Sequence, residues 1–199
     1  MPYPMAHLAV AHGLLSSLRK DDPGALYLGS VAPDAYRWLR PEKSVPDRLR
    51  AHLSDAGDPL EEIGRRFRGV RAEFEIGYAL HLLVDLYWDG AVLRPFLKSH
   101  SYPVYARDMR VLDVNLYLEA RAEETIFPLL AAAEPRGLDD LVTAEQVKLE
   151  RDLTLAWYRE RVASAGEPLL GPLSLSQLTD AADGAARFAA REWANLAAN

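Results

Sequence analysis

The sequence predicts an all-α protein, a bundle of several helices. Apolar residues recur at helical spacing along most of the 199 residues, and no segment shows the apolar-polar alternation typical of a half-buried strand. Two capping boxes, Thr143 with Gln146 and Ser174 with Gln177, indicate helix starts in the second half. Hydrophobic residues make up 49% and charged residues 26%, which suits one domain spanning residues 1–199 with a core and a solvated surface.

The helices can be placed from turn and breaker residues. Asp21-Asp22-Pro23-Gly24 ends the first helix, and the short helical segment that follows it breaks at Pro33. The stretch from Arg40 to Pro59 holds three prolines, at 41, 46 and 59, and predicts a long loop. The longer helices are predicted at approximately 5–20, 60 or 71 to 97 with a bend at Pro95, 104–133, 143–163 and 174–197.

Composition excludes several classes of function. The net charge is -6 and basic residues do not cluster, which argues against duplex nucleic acid as a partner. The chain has no cysteine, so any metal must be bound by nitrogen and oxygen ligands. No apolar run is long enough for a transmembrane segment, and the N-terminal sequence is a poor signal peptide. We therefore expect a cytoplasmic protein.

The strongest candidate site lies in the sequence FEIGYALHLLVDLYWDG, residues 74–90. His81 and Asp85 are four residues apart and so project from one face of a helix that is apolar nearly all round. A carboxylate in such a helix is costly unless it is paired or coordinated, and a bound metal would explain it. A buried His–Asp hydrogen bond or a salt bridge to an arginine is the alternative.

Three further residues are weaker candidates when each is taken alone. Asp34 follows Pro33 in GSVAPDA and can equally be a helix N-cap. His52 lies in AHLSD near the end of the proline-rich loop, where a histidine is usually solvated. His7 lies beside Leu8 on the first helix, where a lone histidine is more often a core residue than a ligand.

The order of these residues resembles the pattern of the zinc-dependent phospholipase C family. HLAVA, GSVAPDA, AHLSD and IGYALHLLVD match the family's early helix with a histidine, its aspartate, its loop histidine and its apolar ALHxxxD helix. The resemblance covers about residues 5–90, and the ALHxxxD helix is its most specific part. It implies a helix bundle of the zinc phospholipase C type, which is similar to the single-strand-specific zinc nucleases in fold and metal pattern.

The resemblance also implies a site and a chemistry. Asp34, His52, His81 and Asp85 would surround one Zn²⁺, and Asp85 would bridge toward a second Zn²⁺ near His7. The expected reaction is hydrolysis of a phosphoester, either a small molecule or a lipid, by a metal-activated water. Asp34 would be a ligand that also orients or deprotonates that water.

Two points limit this expectation. The family's further metal site uses two histidines and a glutamate after the ALHxxxD helix, whereas here only His100 follows, so we expect one or two zinc ions. His12 is five residues after His7, on another helix face, and is not expected to bind metal. The alternative function is a non-catalytic, zinc-stabilised helical module that binds a partner or regulates it. An open coordination position would favour the enzyme.

Overall fold

The computed structural model describes residues 3–18, 21–37, 45–54, 57–139, 141–162 and 172–198, and the chain is predominantly helical over these ranges. The elements are α1 (Pro4–Leu18), α2 (Pro23–Val31), a 3-10 helix (Ala32–Arg37), α3 (Val45–Ala51), α4 (Pro59–Phe67), α5 (Glu73–Trp88), a π-helical turn (Asp89–Leu93), α6 (Arg94–Leu97), α7 (Tyr102–Glu119), α8 (Ala122–Thr125), α9 (Phe127–Ala132), α10 (Ala144–Val162) and α11 (Leu175–Ala198). Within the described residues there is no strand, only an isolated bridge between Leu138 and Val142. The all-α prediction is confirmed.

The two predicted capping boxes are present. The Thr143 N–H donates to Gln146 Oε1 at 2.9 Å, and the Gln146 N–H donates to Thr143 Oγ1 at 3.2 Å. Ser174 and Gln177 make the same reciprocal pair at 2.7 and 3.2 Å. Each box supplies partners to backbone N–H groups that have none inside the helix. The helices α10 and α11 therefore begin directly after Thr143 and Ser174, the first residue of each box.

The prediction of a long loop from Arg40 to Pro59 is wrong in part, because this stretch contains α3. Pro46 lies in the first turn of α3, where a missing N–H costs nothing and a fixed φ favours the helix. Asp47 accepts a hydrogen bond from Arg50 one turn later, at 2.6 Å. Prolines that suggested a loop therefore start a helix here. Residues 40–44 and 55–56 lie outside the described residues.

The helix predicted from 60 or 71 to 97 is interrupted, and α5 begins close to the second of these starts; the helix predicted at 104–133 is interrupted as well. The first has a break between α4 and α5 that includes Gly69, with φ of +73°, and a π-helical turn before Pro95. The second breaks at Arg121, which has φ of +49°. There the Thr125 hydroxyl bonds to the carbonyls of Ala120 and Arg121 at 3.0 and 3.1 Å. Such local bonds compete with helix continuation, and periodicity alone does not detect them.

The packing of α2 against α5 organises the half of the molecule that carries the candidate site. Gly29 on α2 and Gly77 on α5 let the two helix backbones touch, since a methyl group at either position would overlap backbone atoms of the other helix. The residues of α5 from Phe74 to Val84 are almost all buried. None of the helices in the described part of the chain is both long and apolar enough to cross a membrane.

Candidate metal centre

Five histidine and aspartate side chains from four segments meet beside the α2–α5 contact. His7 comes from the first half of α1, Asp34 from the 3-10 helix that continues α2, and His52 from the residue after α3. His81 and Asp85 come from successive turns of α5. The three histidines are buried, and the Asp85 side chain is 13% exposed. The structure thus brings together all five residues that the sequence indicated.

The ligand atoms are spaced as metal ligands are. Asp85 Oδ2 lies 3.6 Å from both His52 Nε2 and His81 Nε2, and Asp34 Oδ1 lies 3.6 Å from His52 Nε2. In a tetrahedral zinc site with bonds of about 2.0–2.2 Å, neighbouring ligand atoms are about 3.3–3.6 Å apart. The separations in the cluster are too long for good hydrogen bonds and match the edges of such a tetrahedron.

Several of these buried atoms have no hydrogen-bond partner in the structure. They are His7 Nδ1 and Nε2, His52 Nε2, His81 Nε2 and Asp85 Oδ1. A buried polar atom without a partner costs stability, so five such atoms in one cluster need an explanation beyond packing. Divalent cations in the cluster supply it, because one nitrogen of each imidazole and the Asp85 oxygen would then have a partner. The residues present therefore fit zinc.

Backbone carbonyls orient two of the histidines. His81 Nδ1 lies 2.8 Å from the Ser30 carbonyl oxygen, and His52 Nδ1 lies 3.1 Å from the Arg48 carbonyl oxygen. A carbonyl only accepts, so each Nδ1 carries the proton and each Nε2 presents its lone pair to the cluster. Metal-binding histidines usually have such a partner, which fixes the tautomer and the orientation of the ring.

The two oxygens of Asp85 face different histidines. Oδ2 faces His52 and His81, whereas Oδ1 lies 3.5 Å from His7 Nε2. The His7 and His81 rings stack nearly parallel, with centroids 3.7 Å apart. A carboxylate placed in this way can bridge two metal ions, one on each side.

Burial and the neighbouring charges shift the pKa values of the side chains in the cluster. Burial lowers the pKa of His7 from 6.5 to about 3, so its ring is neutral near pH 7 and available as a ligand. Burial alone would raise the pKa of Asp85, but the nearby imidazoles, His81 first, hold it below its ordinary value. Burial alone would lower the pKa of His81, but the Asp85 carboxylate raises it.

A strained turn presents His52. The Ser54 N–H donates to the Leu49 carbonyl at 2.8 Å and the Leu53 N–H to the Arg50 carbonyl at 3.1 Å, which closes α3 with a Schellman motif. Its left-handed position is occupied by Leu53, with φ of +50°, rather than by glycine. That conformation costs a leucine about 1–2 kcal/mol. Burial of the leucine side chain, worth about 1.5–3 kcal/mol, offsets this cost and holds the turn in place.

A cavity of about 530 Å³ reaches the cluster at Asp34. Its wall includes the aromatic rings of Tyr3, Tyr36, Tyr102 and Trp157 and the charged side chains of Arg48 and Glu150. A cavity of this size accommodates a small molecule or a lipid head group. The cluster therefore has a side that is open to a ligand.

Some residues near the site were not identified from the sequence. The Ser30 and Arg48 carbonyls are backbone groups, which carry no signal in the residue type. The sequence does place Tyr78 on the same helix face as His81, three residues before it, and the structure adds that it is buried and donates to the Ala51 carbonyl at 2.7 Å, tying α3 to α5. Glu150 comes from α10, 65 residues after Asp85, the last of the other candidates, and nothing in its sequence neighbourhood indicates the cavity.

The remaining histidines lie elsewhere. His12 is exposed, and its Nδ1 lies 2.7 Å from the Tyr27 hydroxyl. His100 is exposed and stacks on Phe96 with centroids 4.6 Å apart. Over the described ranges, groups of three or more converging histidine or acidic ligands occur only within the five-residue cluster.

Comparison with known proteins gives one match. A family model described as zinc-dependent phospholipase C matches residues 5–107, a little over half of the 199-residue chain. All five residues of the cluster lie inside the matched range, and α10, with its cavity residues, lies outside it. No curated protein and no solved structure matches the chain.

Proposed function

The chain belongs to the zinc-dependent phospholipase C family, and we propose that it is a zinc-dependent hydrolase of phosphoesters. The observation that carries the proposal is the convergence of His7, His52, His81 and Asp85 atoms that are buried and have no hydrogen-bond partner. Three separate segments would not place such atoms together without a cation to satisfy them.

The residues divide between two positions. Asp34, His52, His81 and Oδ2 of Asp85 would hold one zinc ion, and His7 with Oδ1 of Asp85 would contribute to a second. When bound, zinc lowers the pKa of a coordinated water toward about 7 and offsets negative charge on phosphoryl oxygens. We expect no more than two zinc ions per chain, because the described residues offer no other cluster of this kind.

Asp34 is the residue to which we assign the proton-handling role. It is the one member of the cluster that also lines the cavity, so it lies between the metal ligands and the space open to a substrate. A carboxylate there can accept a proton from water or hold the water in line with the phosphorus atom. The cavity admits a small phosphodiester or the head group of a lipid.

The cavity also favours an enzyme over a non-catalytic zinc module. Structural zinc sites are closed by four protein ligands, whereas catalytic sites keep one position open to water or substrate, as the second position, with only His7 and Asp85, would. Here Asp34 faces a cavity of about 530 Å³. This access has no use in a site that only stabilises the fold.

Metal analysis followed by a substrate panel tests the proposal. Protein purified without added zinc should contain one or two zinc ions per chain. It should hydrolyse at least one of an activated phosphodiester, a phosphomonoester and a phospholipid, and a chelator should abolish this activity. Asp34→Asn should lower kcat by about 10²–10⁴-fold. His12→Ala is the matched control on α1 and should change neither zinc content nor rate. A zinc-loaded protein that is inactive on the whole panel would favour the non-catalytic module.

A further inference from the structure

The first turn of α1 is held by two side chains from the other half of the chain. The Met5 N–H donates to the Tyr158 hydroxyl oxygen at 2.9 Å. The Ala6 N–H is shared between Asp113 Oδ1 at 3.2 Å and the Tyr3 carbonyl at 3.1 Å. The Tyr158 hydroxyl in turn donates to Asp113 Oδ2. Early helix N–H groups have no partner within the helix, so this pair acts as a cap supplied by α7 and α10.

Both side chains of this cap are fully buried and firmly placed. The Tyr158 ring stacks on Tyr117 with centroids 5.3 Å apart and meets the edge of Phe127 at 5.6 Å. Burial raises the pKa of Asp113 to about 7, which means that its carboxyl is placed here at a cost in stability. An apolar pair could fill the same space without that cost.

The next residue along α1 is His7. We propose that Asp113 and Tyr158 are positioning residues for His7, and hence for the second metal position of the centre. By fixing the N–H groups of the two preceding residues, they fix the rotation of α1 that stacks the His7 ring on His81. This inference rests on the proposed metal centre.

Asp113 and Tyr158 both lie outside residues 5–107, the range that matches the family model. The half of the chain without a family match thus reaches the metal centre through this cap. Its contribution is to hold α1, in addition to lining the cavity.

Zinc titration of purified, metal-depleted protein against a competing chelator tests the proposal. Tyr158→Phe keeps the stacked ring and removes the hydroxyl that joins Met5 to Asp113. We expect its affinity for the second zinc ion to fall about tenfold or more, in the direction of His7→Ala, with the first ion unaffected. Tyr27→Phe is the matched control, because it also removes a hydroxyl of a buried tyrosine that contacts α1, at His12. It should bind both ions as the wild type does.

Asp113→Asn serves as a second variant if Tyr158→Phe does not fold. It keeps an oxygen for the Ala6 N–H and loses the acceptor for the Tyr158 hydroxyl, so a smaller loss at the same ion is expected. If both variants merely lower the melting temperature while both ions bind normally, the pair is structural and the inference is overturned. A wild type that binds a single zinc, unchanged by His7→Ala, also overturns it but leaves the hydrolase proposal standing. A wild type that binds no zinc overturns both.

Discussion

Replacing Gly77 by alanine tests whether the α2–α5 contact builds the metal centre. A methyl group at this position would lie 2.9 Å from the Ser30 nitrogen and 3.0 Å from Gly29 Cα, and closer still to the Leu26 carbonyl oxygen. All three are backbone atoms, so no side chain can rotate to make room. The two helices must therefore separate by roughly 1 Å to reach ordinary contact distance.

The expected cost follows from this geometry. Overpacking of a tight core costs about 1–3 kcal/mol. The cost here should lie at the upper end of that range, because the added methyl group meets backbone atoms that cannot move aside. Alanine is favoured over glycine in a helix by about 1 kcal/mol, which leaves a net loss of about 2 kcal/mol. The Ser30 carbonyl moves with α2 and its 2.8 Å bond to His81 Nδ1 lengthens. Zinc affinity should then fall by about 10–100-fold.

Urea unfolding and zinc titration measure the two effects. Gly13→Ala is the matched control, because Gly13 lies in α1, is exposed and has no atom near the site of an added methyl group. That variant should gain up to about 1 kcal/mol and keep its zinc affinity. If Gly77→Ala is also more stable than the wild type and binds zinc normally, the close contact does not position the centre.

Three other predictions concern the metal ligands and pH. His81→Ala and Asp85→Ala should each strip zinc and lower thermal stability, since each leaves the remaining ligands incomplete; full zinc content in both would refute the assignment. Chelation should expose α3 to trypsin at Arg50 before other parts of the chain, because His52 ties its end to the metal; an unchanged order of cleavage after verified zinc removal would contradict this. In chelated protein, His7 should lower the free energy of unfolding as the pH falls from about 6.5 to about 3, because the unfolded chain protonates His7 while the folded chain does not. Asp113, with its raised pKa, acts in the opposite direction, so the His7 contribution is read as the difference between the urea-unfolding profiles of the wild type and His7→Gln. Equal slopes in the two profiles would argue against a buried neutral histidine.

Much of the local structure was predictable because it depends on residues close together in the chain. Capping boxes involve side chains three residues apart, and the Thr143 and Ser174 boxes form as expected. The spacing of His81 and Asp85 places both on one face wherever the helix packs. The resemblance to a zinc enzyme family likewise depends on the order of ligands along residues 5–90, and the family match over residues 5–107 supports it.

The arrangement of the centre was decided by contacts between distant residues. Which oxygen of Asp85 faces His7, and which backbone carbonyls orient His52 and His81, depends on how four segments pack. Backbone carbonyls are common to all residues, so no residue type predicts their use. The cap of α1 joins Ala6 to Asp113, 107 residues away, and only the packing of α1 against α7 and α10 creates it. Local patterns therefore determined the helices and the candidate ligands, whereas the tertiary fold determined their geometry, because long-range packing sets the distances between them.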